Sequence, residues 1–332
     1  MHNDTFRAII ASENPEGSVT PLLSQKSMAS LPEGDLLVKV QYSSLNYKDA
    51  LSSTGNRGVT RAYPHTPGID AAGVVVEDKS GRLSEGDFVL VCGHDLGMNT
   101  SGGFGEYIRV PAAWAMPIPP GLSPATAMML GTAGFTAGLG IWKMLHNGQS
   151  PDQGPILVTG AGGGLGSIAI AILAKLGFEV IASTGKVQET GYFKTLGASE
   201  ILPRKELSET TSKLLLRPRW AGAIDTIGGT ILENVLKSCK RHGNVAICGN
   251  ALSYELSTSV YPFILNGINM LGVDSATCTM HLREAVWAKL ANEWYPEQLS
   301  EICHEINLSQ LPEYIRLILS GQLRGRVFIN LS

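Results

Sequence analysis

The residues with the most legible chemistry are the glycines of Ile156-Leu157-Val158-Thr159-Gly160-Ala161-Gly162-Gly163-Gly164-Leu165-Gly166-Ser167. An apolar run enters this cluster, and a second one, Ile168-Ala169-Ile170-Ala171-Ile172-Leu173-Ala174, leaves it. A strand that turns through glycines into a helix start brings backbone N–H groups close to a pyrophosphate. The chemistry this predicts is dinucleotide binding. The spacing departs from G-x-G-x-x-G because position 165 is leucine. Gly160, Gly163 and Gly166 form G-x-x-G-x-x-G instead. A glycine pattern alone is weak, and the flanking strand and helix strengthen it. The alternative is a glycine-rich turn that binds nothing, which carries an entropic cost with no close approach to justify it.

The next strand, Val180-Ile181-Ala182-Ser183, leads into Thr184-Gly185-Lys186. An acid at this place would accept hydrogen bonds from the ribose hydroxyls of NAD. Hydroxyls and a lysine suit a 2′-phosphate, so the cofactor expected is NADPH. Arg204, in Leu202-Pro203-Arg204-Lys205, offers a second cation for the same phosphate. The alternative for Lys186 is a solvated lysine at a helix start. Metal ligands are poorly provided. Cys92 and His94 have no partner in sequence, and Gly68-Ile69-Asp70 holds an acid without an adjacent histidine. The five cysteines show no C-x-x-C spacing and read as reduced thiols. With no metal site expected, reduction of an activated double bond is easier to explain than alcohol oxidation, because the substrate's own carbonyl takes up the charge.

These groups need a scaffold. The first third is punctuated by glycine and proline between short apolar runs. It predicts strands over Phe6–Ala11, Leu36–Tyr42, Gly73–Glu77, Gly86–Val91 and Phe104–Val110, as in a barrel-like β domain. A helix is expected from Ser123, with Pro124 in its first turn. Strands and helices then alternate. The strands are Ile156–Thr159, Glu179–Ser183, Glu200–Leu202, Ala223–Ile227, Asn244–Cys248 and Ile268–Val273, and the helices are Ser167–Leu176, Val187–Leu196 and Leu232–Cys239. Such alternation predicts a doubly wound parallel sheet. The chain closes on a strand at Arg326–Ile329.

At 332 residues there is length for two domains, and 44% hydrophobic content supplies their cores. A net charge of −3 gives no basic field for nucleic acid or an anionic membrane, so neither is an expected partner. The opening Met1-His2-Asn3-Asp4-Thr5 lacks a basic, apolar leader pattern, and no apolar run reaches membrane-spanning length. The expected location is the cytoplasm.

Motifs along nearly the whole chain carry a family resemblance. They include Ser43-Ser44-Leu45-Asn46-Tyr47-Lys48-Asp49-Ala50, Pro67-Gly68-Ile69-Asp70-Ala71-Ala72-Gly73 and Gly102-Gly103-Phe104-Gly105-Glu106-Tyr107. Further along come Gly131-Thr132-Ala133-Gly134-Phe135-Thr136-Ala137, the glycine loop, Leu196-Gly197-Ala198 and Trp220-Ala221-Gly222-Ala223-Ile224-Asp225-Thr226-Ile227-Gly228. Pro262-Phe263-Ile264-Leu265, Gly272-Val273-Asp274-Ser275 and Gly325-Arg326 complete the series. In these the chain resembles the zinc-free, quinone-oxidoreductase-like branch of the medium-chain dehydrogenase/reductase superfamily. Within that branch it resembles the YhdH/YhfP subgroup, which includes the acrylyl-CoA reductases.

The resemblance implies an α/β fold with a GroES-like β-rich catalytic domain over 1–125 and 276–332 and a Rossmann cofactor domain over 126–275. It implies NADPH-dependent reduction of a 2-enoyl thioester or related α,β-unsaturated carbonyl. Cofactor contacts are expected from Tyr47, Gly162, Gly163, Gly164, Leu165, Thr184, Gly185, Lys186 and Arg204, and from Asn250, Ile264, Ser275 and Arg324. Asn250 stands where the subgroup has an apolar residue, and Arg324 where it has an uncharged amide. Arg57 occupies the place of the tyrosine acid of related mitochondrial enoyl thioester reductases, so that role does not transfer.

Tyr47 is the expected catalytic residue, as orienting group or proton donor directly or through water. The alternative is packing against the nicotinamide alone. Asn46 is expected to position an amide or carbonyl, or else to serve as a turn residue. Asp49 is expected to cap a helix in preference to a catalytic role, Asp70 to fix backbone or Lys48 with a direct acid role as the alternative, and Arg57 and Arg61 to meet CoA phosphates or solvent. Two further readings stay open: an NADPH:quinone oxidoreductase, and an NADPH-binding sensor or structural protein without turnover. The run Ile268–Val273 reads as an apolar edge strand, and a homodimer is expected through it.

Overall fold

The structure is a computed structural model and describes residues 5–332. The first stretch carries β1 (Thr5–Glu13), β2 (Val19–Ser27), β3 (Leu36–Leu45), α1 (Tyr47–Ser53), β4 (Asp70–Asp78), β5 (Phe88–Cys92), β6 (Tyr107–Val110) and β7 (Met116–Pro117). The long helix α2 (Pro124–His146) follows. Next come β8 (Ile156–Val158), α3 (Gly164–Lys175), β9 (Val180–Thr184), α4 (Thr190–Thr195), β10 (Glu200–Pro203), β11 (Trp220–Asp225), α5 (Gly229–Lys237) and β12 (Cys239–Ile247). The chain ends with α6 (Tyr261–Asn266), β13 (Asn269–Gly272), α7 (Met280–Ala291), α8 (Leu299–Ile302), β14 (Cys303–Asn307), α9 (Leu311–Leu319) and β15 (Arg326–Asn330).

Two compact units result. One comprises the described residues to Thr132, together with Ala276–Met280 and Cys303–Ser332. The other comprises Ala133–Ser275 and His281–Ile302. The expected 276–332 segment is therefore divided. Its helix α7 goes with the second unit because Val286 and Leu290 fill the space left by Gly138, and Trp287 stacks on Phe135 at 6.1 Å between centroids.

In the first unit the sheet runs β14-β15-β3-β4-β5-β7, with β6 also on β3 and the β1–β2 hairpin separate. Ile9, Leu36, Val38, Val40, Val89, Phe104, Ile108 and Ile329 form its core. β15 lies antiparallel to β3, with Val327 opposite Leu45. β4 lies antiparallel on the other side of β3, with Ala71 opposite Ser43. This register brings Arg326, Asn46 and Asp70 to one end of the sheet.

The second unit has a six-stranded, all-parallel sheet in the order β10-β9-β8-β11-β12-β13. This is the doubly wound arrangement expected from the alternating pattern. The direction of winding reverses between β8 and β11, where such sheets open a crevice at the strands' carboxyl ends. β13 is an edge strand, with Met270 half exposed. Among the described residues, no helix is long and apolar enough to cross a membrane.

Candidate active site

The glycine loop follows β8 at the winding reversal. Gly160 adopts φ +60°, and a Cβ there would strike the Thr226 hydroxyl. A Cβ on Gly166 would collide with the Gly160 carbonyl. These two glycines shape the turn. Gly162 and Gly163 are different. A Cβ on Gly162 would meet only ordinary contacts at 3.6 Å or more, and one on Gly163 would meet only the Gly160 carbonyl at 3.4 Å. Internal packing therefore does not require glycine there. What their bareness preserves is open access to the start of α3, whose N-cap Gly163 offers no side-chain hydrogen bond to its N–H groups. Gly164 and Leu165 open that helix. A cradle that side chains would fill fits a dinucleotide pyrophosphate.

The loop is held from β11. Asp225 accepts from Thr159 Oγ1 at 2.7 Å and from the Gly228 N–H at 2.8 Å. Thr226 Oγ1 donates back to the Thr159 carbonyl at 3.0 Å. At the end of β9, Thr184 is buried and its hydroxyl accepts from the Lys186 N–H at 3.0 Å. β10 pairs Pro203 with Thr184, so Arg204 emerges beside this turn. A Cβ on Gly185 would lie 3.3 Å from Arg204 Nη2. Thr184, Gly185, Lys186 and Arg204 are thus one cluster of hydroxyl and cations, which fits a phosphate on the ribose.

The other expected cofactor residues of this unit are spread over separate elements. Asn250 is exposed on the loop after β12, and Ile264 is exposed on α6. Ser275 accepts from Thr136 Oγ1 at 2.8 Å, and its carbonyl accepts from Arg283 Nη2 at 3.0 Å.

The first unit holds Asn46, Tyr47 and Arg324. Asn46 caps α1, and Tyr47 is the first helical residue, 45% exposed. Arg324 is exposed on the turn leading into β15. Asp49 caps as expected, with Oδ2 accepting from the Asn46 N–H at 2.8 Å and Oδ1 accepting from the Ile69 N–H. The carboxamide of Asn46 faces inward. Its Nδ2 donates to Asp70 at 2.8 Å and to Asp49 at 3.0 Å, and its Oδ1 accepts from Arg326 Nη1 at 2.7 Å.

Asp70 and Arg326 are the functional pair that sequence reading missed. Asp70 does not bind Lys48. Its carboxylate accepts from Ser44 Oγ at 2.5 Å, from the Thr132 N–H and hydroxyl at 2.9 and 2.5 Å, and from Arg326 Nη2 at 3.1 Å. Arg326 also donates to the Leu45 carbonyl and to Ser44. Both side chains are buried. Burial alone would raise the Asp70 pKa, but the Arg326 guanidinium and the Ser44 and Thr132 hydrogen bonds together hold it below the ordinary carboxylate value. Gly131 belongs to the same arrangement. It breaks α2 at φ 49°, and a Cβ there would fall on Arg326, Ser44 and Asp70. The only sequence signal for the pair was the presence of both residues in family motifs.

Asp49 is pushed the other way, to about 7, by burial and by the Asp70 charge, despite the Asn46 and Ile69 hydrogen bonds. A folded pKa above the unfolded value of 3.8 means the native state binds the extra proton between about pH 4 and 7. Its contribution to stability is therefore fullest below that window and is lost as pH rises through it. Asp49→Asn is expected to flatten urea-unfolding stability across this range, removing a slope of up to about 1.4 kcal/mol per pH unit. Identical pH profiles for variant and parent would contradict this.

Arg57 is committed elsewhere: it grips Glu13 at 2.8 and 2.7 Å and lies over Tyr63. Arg61 is exposed.

Residues 32–120 match the family described as alcohol dehydrogenase GroES-like domain, and 164–292 match zinc-binding dehydrogenase. The donor set here does not fit a zinc ion. Among the described residues no three His, Cys, Asp or Glu side chains form a metal-ligand cluster, and Asp70 is already taken up by Arg326 and hydroxyls. The chain is 40% identical over 328 residues to acrylyl-CoA reductase AcuI of Ruegeria pomeroyi, covering 98% of this chain and 99% of that one. It superposes on Escherichia coli K-12 YhdH with bound NADPH at TM-score 0.95 and 40% identity, covering 98% and 100% of the two chains. Bacillus subtilis YhfP with NAD bound matches equally, at TM-score 0.95 and 40% identity over 99% and 100%. Fold and site thus define an oxidoreductase of the medium-chain dehydrogenase/reductase class. Within it, the chain belongs to the quinone-oxidoreductase-like YhdH/YhfP subgroup.

Proposed function

We propose that this chain is an NADPH-dependent reductase that delivers hydride to the β-carbon of an α,β-unsaturated thioester of the acrylyl-CoA kind. The observation that carries the reading is the open glycine cradle after β8 beside the Thr184–Lys186–Arg204 cluster. The full-length similarity to an acrylyl-CoA reductase supports the substrate class. When bound, NADPH supplies the hydride from its nicotinamide C4.

The chain's own residues bind, orient and move a proton. The N–H groups from Gly162 to Leu165 take the pyrophosphate, and Thr184, Gly185, Lys186 and Arg204 take the 2′-phosphate. Asn250, Ile264, Ser275 and Arg324 add cofactor contacts. Once the β-carbon is reduced, negative charge builds on the thioester oxygen and the α-carbon needs a proton. The exposed Tyr47 phenol gives that proton, directly or through water. Asn46 has both amide hydrogens committed to Asp49 and Asp70, so it acts as a positioning residue that fixes the first turn of α1 beneath Tyr47. The open edge of β13 supports pairing of two copies as a homodimer.

Tyr47→Phe is expected to lower kcat about a hundredfold while leaving NADPH affinity within about threefold. A kcat close to the parent's would leave Tyr47 a packing role only. The reaction itself is tested with NADPH deuterated at the transferred C4 position. The label is expected on the β-carbon of propionyl-CoA, and its absence from that carbon would contradict the reading.

A further inference from the structure

Lys26 lies on β2, opposite Phe6 of β1, and its amine turns inward. Nζ donates to Ser101 Oγ at 2.6 Å and to Thr66 Oγ1 at 3.0 Å. Among the described residues, no carboxylate lies within ion-pair distance of it. Asp95 is occupied by Asn99 and Thr100. Thr66 and Ser101 are 2% and 9% exposed, and the Gly102 N–H donates to the Thr66 carbonyl at 2.7 Å, which fixes the two hydroxyls side by side. Beside Thr66, His65 is 8% exposed; it donates to the Gly97 carbonyl, and its Nε2 is buried without a hydrogen bond.

The donor count is unbalanced. An ammonium has three N–H groups, and two are used on the hydroxyls. Each hydroxyl accepts from Lys26, and among the described residues neither hydroxyl donates to another protein group. Three uncommitted donors therefore surround one partly buried positive charge. A cation partly withdrawn from water and held only by neutral hydroxyls gains from an anion that takes up its remaining donors. We propose that Lys26, Thr66 and Ser101 form an oxyanion-binding site that takes a phosphate group. Burial also lowers the Lys26 pKa, which is the direction expected of a cation lacking its counter-ion. The proposal does not depend on the reductase reading.

The phosphate has two sources: free inorganic phosphate, or a phosphate of a larger ligand such as CoA. Both are titrated into the folded full chain at constant ionic strength, balanced with chloride, and followed by thermal unfolding. The proteins compared are the parent, Lys26→Met and Ser101→Ala. Subtracting the Lys26→Met response isolates this site from phosphate held at Lys186 and Arg204. Lys26→Met is expected to weaken phosphate about tenfold or more, and Ser101→Ala about three- to tenfold. A Lys26-dependent response to inorganic phosphate assigns a free-anion site, and one to CoA alone assigns a ligand phosphate. If Lys26→Met does not fold, Ser101→Ala decides. Equal titrations of parent and folded variants with both probes would overturn the proposal.

Discussion

Arg326→Met is expected to cost about 3–5 kcal/mol of folding stability, measured by urea unfolding at neutral pH. The guanidinium supplies hydrogen bonds to Leu45, Asn46, Ser44 and Asp70, all at a buried position. Without it, Asp70 keeps its burial and loses its counter-charge, and Asp49 stands beside it as a second acid. Arg326→Lys is expected to recover only part of the loss, because one ammonium does not reproduce the fork that spans Leu45 and Asn46 on one nitrogen and Ser44 and Asp70 on the other. Combining Arg326→Met with Asp70→Asn is expected to be milder than the sum of the two, since the uncompensated charge disappears. A loss below about 1 kcal/mol for Arg326→Met would show that the pair does not organise this end of the sheet.

Lys186→Ala combined with Arg204→Ala is expected to weaken NADPH binding about a hundredfold or more while leaving NADH nearly unchanged. The two cations follow the adjoining ends of β9 and β10, where Pro203 pairs with Thr184 and the Lys186 N–H donates to the Thr184 hydroxyl. Charge-assisted hydrogen bonds to a phosphate are worth about 1.5–3 kcal/mol each, and NADH offers no 2′-phosphate to lose them. Equal loss for both cofactors, read by fluorescence titration, would place the cations outside the phosphate's reach.

The parts of this chain that were legible beforehand share one property: their signal is local. The alternation of apolar strands and helices, the glycine turn and the cations after β9 and β10 all sit within short windows. The periodicity that predicts a helix over Val187–Leu196 misses a break after Glu189, where a 3-10 turn hands over to the short α4. β2 carries no strand signal in sequence because its residues are mostly polar and exposed, with Pro21 inside it, so no buried face imposes an alternating pattern. The Asp70–Arg326 pair spans 256 residues of sequence, and nothing in either neighbourhood announces the other. Arg57 reads as available for phosphates in sequence because its partner, Glu13, lies 44 residues away at the end of β1. Long-range charge pairing, more than element type, is what sequence reading could not supply.

The central claim is tested most directly by the rate of NADPH oxidation with acrylyl-CoA, set against a soluble benzoquinone and against NADH as reductant. Fast turnover is expected with acrylyl-CoA and NADPH, at least about tenfold slower turnover with NADH, and little with the quinone. Turnover with the quinone and none with acrylyl-CoA would contradict it. NADPH binding without turnover of either acceptor would contradict it as well, and would favour a protein that senses the cofactor without using it.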